Sequence, residues 1–318
     1  PGEAVRIFTG APIPAGADAV LLQENARREG EAVVALEPVA PGRHVRRRGL
    51  DFAEGECLLP AGTRLSPAAL GLAAAANHPF LSVARRPRVG VLATGDELVP
   101  PGTDPGPDRI VASNFPALAA LVAEAGGEAI DLGIAPDDTA ALGRAIETAR
   151  GAGLDVFVTV GGASVGEHDL VRATLAEAGM RLALWRIAMR PGKPLMSGDL
   201  DGLAVLGLPG NPVSSLVCGA LFLAPLVARL AGVADATPPL EPARLGAAVP
   251  ANGEREDYMR ARTVGVAPDG LPEVVPFDVQ DSSMLSLLAA ADVLLVRPPG
   301  APAAAAGDPC RVLRLARR

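Results

Sequence analysis

Lysine is almost missing from this chain: Lys193 is the single one, and the other 28 of the 29 basic residues are arginines. Aromatic residues are scarce too, at 3% with one Trp and one Tyr, so any core must rely on Ala, Val and Leu. The three cysteines, Cys57, Cys218 and Cys310, are far apart and form no CxxC pair. That argues against a disulfide framework or a zinc site, and for reduced thiols in the cytoplasm. The longest apolar run, residues 216–228, has about 13 residues and contains Pro225; this is short of the roughly 18 needed to cross a bilayer, so it reads as a buried helix with no membrane role. Pro1, Gly2 and Glu3 lead into a polar-apolar alternation without a signal-peptide pattern. A net charge of −7 leaves no basic excess for a nucleic-acid partner. His44, His78 and His168 show no metal-ligand spacing, and no Ser-His-Asp or Cys-His arrangement can be assigned.

What is present is a long globular chain of 318 residues, 49% hydrophobic and 20% charged, enough for two or three domains. Residues 1–51 alternate short β-prone runs, at 19–22 and 32–36, with Pro/Gly turns, which predicts a small β-rich part. Residues 52–86 form a connecting part with a helix predicted at 67–76. A different rhythm starts at Arg88. RVGVLATGDE reads as a strand and turn, SNFPALAALVAEAGG as a capped helix with a glycine stop, and EAIDLGI as a second strand. A helix at 139–150, a strand at 155–160, a helix at 169–178 and the strand-turn-helix LAVLGLPGNPVSSLV follow. Strands alternating with helices of this length predict an α/β fold with a doubly wound, mostly parallel sheet over residues 87–233. After a Pro-rich linker, β-like runs predict a small C-terminal β domain over 234–318, with the alanine tract at 301–306 as a loop.

In such a sheet, ligands bind outside the carboxyl ends of the strands. The residues there are Thr94, Gly95, Asp96 and Glu97; Asp137 and Asp138; Gly161 to Gly166 with Glu167 and Asp169; and Pro209, Gly210, Asn211 and Pro212. TGDEL could be a helix N-cap, and Asp137-Asp138 could be acids of a helical first turn. Converging on one edge with a glycine-rich loop, the carboxylates instead form a hard-oxygen set suited to Mg²⁺. Gly161 and Gly166 have the GxxxxG spacing of a phosphate loop, but Glu167 and His168 stand where Lys and Ser/Thr are required. An ATPase cradle is therefore disfavoured. Successive backbone N–H groups entering a helix could still hold an anion. The only lysine lies in a Pro-Gly turn behind Arg186 and Arg190, where a compact ammonium of adjustable pKa and two guanidinium groups could form an oxyanion pocket. Arg46-Arg47-Arg48 could equally be a solvated face.

Seven ordered stretches, RIFTGAPIPAGADAV, VRRRGLDF, PAGTRLSP, VGVLATGDELV, GGASVGEHD, WRIAMRPGKP and GLPGNPVSS, make the chain resemble the molybdopterin molybdenumtransferases, the family of the gephyrin E domain, over nearly its whole length. The resemblance implies conversion of adenylylated molybdopterin and molybdate to molybdenum cofactor and AMP, assisted by Mg²⁺ or another divalent cation, with residues 87–233 as the molybdopterin-binding domain. It implies catalytic roles for Asp169, Asp137, Glu97 and Lys193, with Glu97, Asp137 and Asp169 holding the metal. Thr9, Arg46, Asp51, Gly161, Gly162, Ser164, Gly166, Arg186, Arg190, Pro209, Pro212, Arg260 and Ser282 fall on substrate-binding positions, the last two on residues lining the molybdate pocket. It further implies an elongated homodimer and contact with the molybdopterin adenylyltransferase. That adenylyltransferase activity itself, which shares the central fold, and a noncatalytic scaffold are the alternatives. Three features depart from the family pattern: arginine stands where lysine is common at 186 and 190, Leu50 replaces a common acid, and the AMDGYA-type segment of the family's N-terminal region has no counterpart.

Overall fold

The protein is described by a computed structural model that covers residues 2–162 and 170–315. It divides into two compact units, residues 1–60 with 65–79 and residues 61–64 with 80–318.

The first unit is thinner in β structure than its turn-rich sequence predicts. Its strands β1 (Ala26–Glu29) and β2 (Ala32–Ala35) form one antiparallel ribbon, Ala26 opposite Ala35. Residues 19–22 are β-prone but form no strand; the Val20 N–H donates to the carbonyl of Arg43 at 3.0 Å. Helix α1 (Pro67–Ala75) starts as its sequence dictates. The Ser66 hydroxyl accepts from the Ala69 N–H at 3.2 Å, and Pro67 occupies a first-turn position where its missing donor costs nothing.

The second unit carries the predicted α/β core. Its elements are β3 (Arg88–Thr94), β4 (Leu98–Val99), β5 (Ile110–Val111), α2 (Asn114–Glu124), β6 (Glu128–Ala135), α3 (Thr139–Gly151), β7 (Val156–Val160), α4 (Leu170–Glu177), β8 (Arg181–Trp185), β9 (Met189–Arg190), β10 (Met196–Leu200), β11 (Leu203–Leu208), α5 (Pro212–Cys218) and α6 (Ala224–Leu230). The central sheet runs β6-β3-β7-β11-β10-β8. The first four strands are parallel, and β10 and β8 extend the sheet antiparallel. The β10–β11 hairpin turns on Asp201-Gly202, both at positive φ, as a two-residue connection of this twist requires.

Helices cover both faces, which explains why β7 is fully buried and reads as an unbroken apolar run. Val156, Val158 and Val160 pack with Leu118 and Val122 of α2 and with Val213, Val217 and Val227 on one side; Phe157 packs with Leu142 and Ile146 of α3 and Leu175 of α4 on the other. Burying Phe157 completely stabilises the fold by roughly 2–3 kcal/mol. The run expected at 216–228 belongs to a longer, continuous helix, Pro212–Leu230, of 19 residues with a π-helical turn at Gly219–Leu223. By length and composition alone it could cross a membrane, yet Val213, Val217, Cys218, Leu223 and Val227 all lie in the core.

Strands β12 (Leu240–Leu245), β13 (Glu256–Val266), β14 (Pro272–Pro276), β15 (Val293–Arg297) and β16 (Pro309–Arg314), with α7 (Leu285–Ala289), form the C-terminal part. Their order is β14-β12-β16-β15-β13, and β13 pairs back to β14, so the sheet closes into a small barrel around Leu245, Ala261, Val274, Leu295 and Val312. Short β9 adds in parallel to β13 and so ties the central domain's cationic loop to the barrel. The alanine tract is a loop apart from Ala304, which bridges to Val249.

Candidate functional site

In the central sheet β3 is the first strand, β6 lies on one side of it and β7 on the other. Consecutive crossovers thus depart in opposite directions from β3, and this reversal opens a crevice at the carboxyl ends. A cavity of about 1470 Å³ lies there, lined by Thr94, Glu97, Asp137, Gly161, Pro209 and Pro212 among others.

The two adjacent acids after β6 separate in role. Asp138 is a cap: its Oδ1 accepts from the Ala141 N–H at 2.8 Å and starts α3. Asp137 lines the cavity instead, with its own N–H donating to Asp96 Oδ1 at 3.2 Å. Desolvation, followed by repulsion from Asp96 and Glu97, lifts the Asp137 carboxyl above its ordinary 3.8. TGDEL caps no helix, since Leu98 and Val99 enter β4 and Glu97 stays in the cavity wall.

The loop after β7 needs its glycines. Gly161 and Gly162 have φ of +97° and +65°. A Cβ at Gly161 would fall 2.6 Å from the Thr94 carbonyl oxygen, and one at Gly162 would fall 2.2 Å from Val171 Cγ2. The backbone is therefore held against the end of β3 beside Thr94, whose buried hydroxyl has no hydrogen-bond partner among the described residues. Ser164, Gly166, Glu167, His168 and Asp169 lie outside the described residues. Glu97 and Asp137 supply hard oxygen donors, as Mg²⁺ prefers. Among the described residues, however, no three His, Cys, Asp or Glu side chains gather into a metal-holding group. Such a partial set fits an ion that takes one or two carboxylates and completes its shell with water and substrate phosphate.

A second cavity, of about 700 Å³, is lined by Arg186, Arg190, Lys193, Asn252, Glu254 and Arg255. Lys193 faces this cavity while its neighbour Pro194 faces the first, so one loop separates the two. That loop is closed across its ends and packs tightly: the Ile187 N–H donates to the Lys193 carbonyl at 3.0 Å, and a Cβ at Gly192 would fall 2.4 Å from Cys218 Sγ. Burial pushes the Cys218 thiol up to about 12, so it serves as packing rather than as a thiolate. The Arg186 guanidinium stacks at 4.0 Å over Trp185, the single tryptophan. Lys193 is exposed in the cavity wall.

Two residues assigned to the barrel by sequence are placed differently from each other. Ser282 reaches the proline loop: its hydroxyl accepts from Asn211 Nδ2 at 3.0 Å, and its carbonyl accepts from the Val213 N–H at 3.3 Å. Arg260 is 1% exposed and donates to the carbonyls of Val279, Asp281 and Met284 and to Gln280 Oε1, so it organises that segment from beneath. The arginine at the cationic cavity is Arg255, which sequence reasoning overlooked, as it overlooked Asn252 and Asp257. Asn252 fixes the Arg255 turn by donating to the Arg255 carbonyl at 2.8 Å. Arg255 stands in a charged run, REDYMR, with nothing in its spacing to set it apart from a solvated face. In the first unit, Thr9, Arg46 and Asp51 are exposed.

Family models match the chain in three successive stretches: a "MoeA N-terminal region (domain I and II)" over residues 1–77, a "Probable molybdopterin binding domain" over 90–229 and a "MoeA C-terminal region (domain IV)" over 242–315. The molybdopterin molybdenumtransferase of Nostoc sp. is 39% identical over 99% of this chain and 73% of its own length. Molybdopterin molybdenumtransferase 2 of Mycobacterium tuberculosis is 35% identical over 98% of this chain and 77% of its own. A solved MoeA molybdopterin biosynthesis protein from Pyrococcus horikoshii superposes with a TM-score of 0.79 at 31% identity, covering 98% of this chain and 75% of that one. Similarity this extensive shows that the chain belongs to the molybdopterin molybdenumtransferase family.

Proposed function

We propose that the protein inserts molybdenum into molybdopterin, taking adenylylated molybdopterin and molybdate and releasing molybdenum cofactor and AMP. The observation that carries this reading is the pair of adjoining cavities parted at Lys193 and Pro194, one lined by carboxylates and backbone amides, the other by four cations. A reaction that joins a phosphoanhydride-linked substrate to a tetrahedral oxyanion needs two such sites side by side.

In the first cavity, Gly161, Gly162, Pro209 and Pro212 would shape the wall around the nucleotide phosphates, with Ser164 and Gly166 continuing that loop. Glu97, Asp137 and Asp169 would hold Mg²⁺, which supplies charge neutralisation to the phosphoanhydride when bound. In the second cavity Arg186, Arg190, Lys193 and Arg255 would attract molybdate. Ser282, joined to the proline loop through Asn211, would link the two sites. Thr9, Arg46 and Asp51 are assigned to substrate binding on the resemblance alone, as are a homodimer and contact with the adenylyltransferase; the division into four parts rests on the patterning of the sequence, and a cytoplasmic location on its unpaired cysteines.

The test is a single-turnover assay of the purified protein with adenylylated molybdopterin, Mg²⁺ and molybdate. AMP release and cofactor formation that both depend on molybdate are expected. Consumption of ATP with unadenylylated molybdopterin would instead identify an adenylyltransferase, and absence of any nucleotide or molybdate binding would identify a scaffold.

A further inference from the structure

Asp257 has no place in the reading above, yet it is one of the few charged side chains buried in the second unit, at 4% exposure. It lies on β13 directly opposite Arg190 of β9 in the parallel register. Both of its oxygens accept from that arginine: Oδ1 from Nε at 3.1 Å and Oδ2 from Nη2. No other hydrogen bond or ion pair reaches the Asp257 side chain among the described residues. A carboxylate removed from water is stabilised only by a well-matched partner, and here the whole match comes from one guanidinium.

The pairing is unequal in exposure. The Arg190 side chain remains 53% exposed and lines the cationic cavity with Arg186, Lys193 and Arg255. Guanidinium is a planar fork, so binding a carboxylate along the Nε–Nη2 edge fixes the direction of the Nη1 donors as well. A lysine on the same stem could satisfy Asp257 or face the cavity, but could not do both in one fixed geometry.

We propose that Asp257 is a positioning residue of the oxyanion site, acting through Arg190: it anchors one edge of the guanidinium to the barrel so that the other edge is preset for a tetrahedral dianion. This rests on the reading of the cavity as the molybdate site. It also gives a purpose to the short β9–β13 pairing, which brings a barrel carboxylate to a loop of the central domain.

The single tryptophan supplies a direct readout, because Arg186 lines the cavity and stacks on Trp185 at 4.0 Å. The 318-residue protein would be titrated with sodium molybdate while tryptophan emission is recorded, with calorimetry in parallel. Wild type, Asp257→Asn, Arg190→Lys, Arg190→Gln and the Asp257→Asn/Arg190→Gln double variant would be compared, each checked for folding by circular dichroism. Asp257→Asn is expected to weaken molybdate binding about tenfold, and Arg190→Lys to weaken it comparably although the charge is kept. In the Arg190→Gln background, Asp257→Asn should add no further loss, as two residues acting through one contact must behave. Wild-type affinity in both Asp257→Asn and Arg190→Lys would overturn the proposal, as would losses that multiply in the double variant. Should Asp257→Asn not fold, Arg190→Lys decides alone, since it retains the buried acid and a cation but removes the fork. Absence of any molybdate response in the wild type overturns the reading of the cavity and this proposal together, whereas binding that the variants preserve overturns only the proposal.

Discussion

At the scale of single residues, the crevice shows how two neighbouring acids acquire different tasks. Asp138 gains a backbone N–H and begins a helix, whereas Asp137 is turned toward other carboxylates. The Asp137 carboxyl is raised above its unfolded value of 3.8, so the native state keeps this proton to higher pH than the unfolded chain does. Stability is then lost as pH climbs from the unfolded value through the native one, and ionised Asp137 is a net cost at neutral pH. Asp137→Asn should therefore raise the thermal midpoint at pH 7 and leave it little changed near pH 3, where both states are largely protonated. The same variant should lower AMP release at least about tenfold, because it removes a hard anionic ligand. Calorimetry at the two pH values checks the first part, and a lower midpoint at pH 7 would show that the neighbouring acids do not destabilise the site.

At the scale of elements, the strands and helices that pack on both faces were legible because their residues repeat at the period of the structure. Val89, Val91, Val156, Val158, Leu206 and Leu208 are apolar because the sheet buries them, and the Thr139–Gly151 helix shows its buried face in Leu142, Ile146 and Ala149. Edge elements were not legible. β8 has Leu182 and Leu184 exposed, so its apolar residues mark no clear inward face. β9 is two residues long and exists through its pairing with β13, a contact far away in sequence. The site divides in the same way. Acids and glycines at strand ends follow from the topology, but nothing local tells Arg255 from Arg260, five residues apart on one charged stretch.

That distinction can be measured. Arg260 is buried, and burial lowers its pKa while Asp281 raises it; removing its fork strands several carbonyls. Arg260→Lys should cost on the order of 2 kcal/mol in unfolding free energy by denaturant titration. Arg255→Gln should leave that free energy nearly unchanged and weaken molybdate binding roughly fivefold. The reverse result, with Arg260→Lys stable but blind to molybdate, would place the oxyanion on the other side of β13.

At the scale of the whole molecule, the chain's charge of −7 opposes the approach of a dianion, while four cationic side chains around one small cavity favour it. The two effects differ in range. Repulsion from carboxylates spread over the surface acts across distances beyond the screening length of about 8 Å at physiological salt, and is already weak there. Attraction inside the cavity acts over a few ångströms, where screening is partial, and the half-exposed Arg190 still feels added salt. The local term should therefore decide the sign. Raising sodium chloride from about 0.05 to 0.5 M is expected to weaken molybdate binding severalfold, since Debye screening grows over this interval. If the global charge governed instead, the same salt would strengthen binding by relieving repulsion, so a titration of tryptophan emission at three salt concentrations separates the two by direction alone.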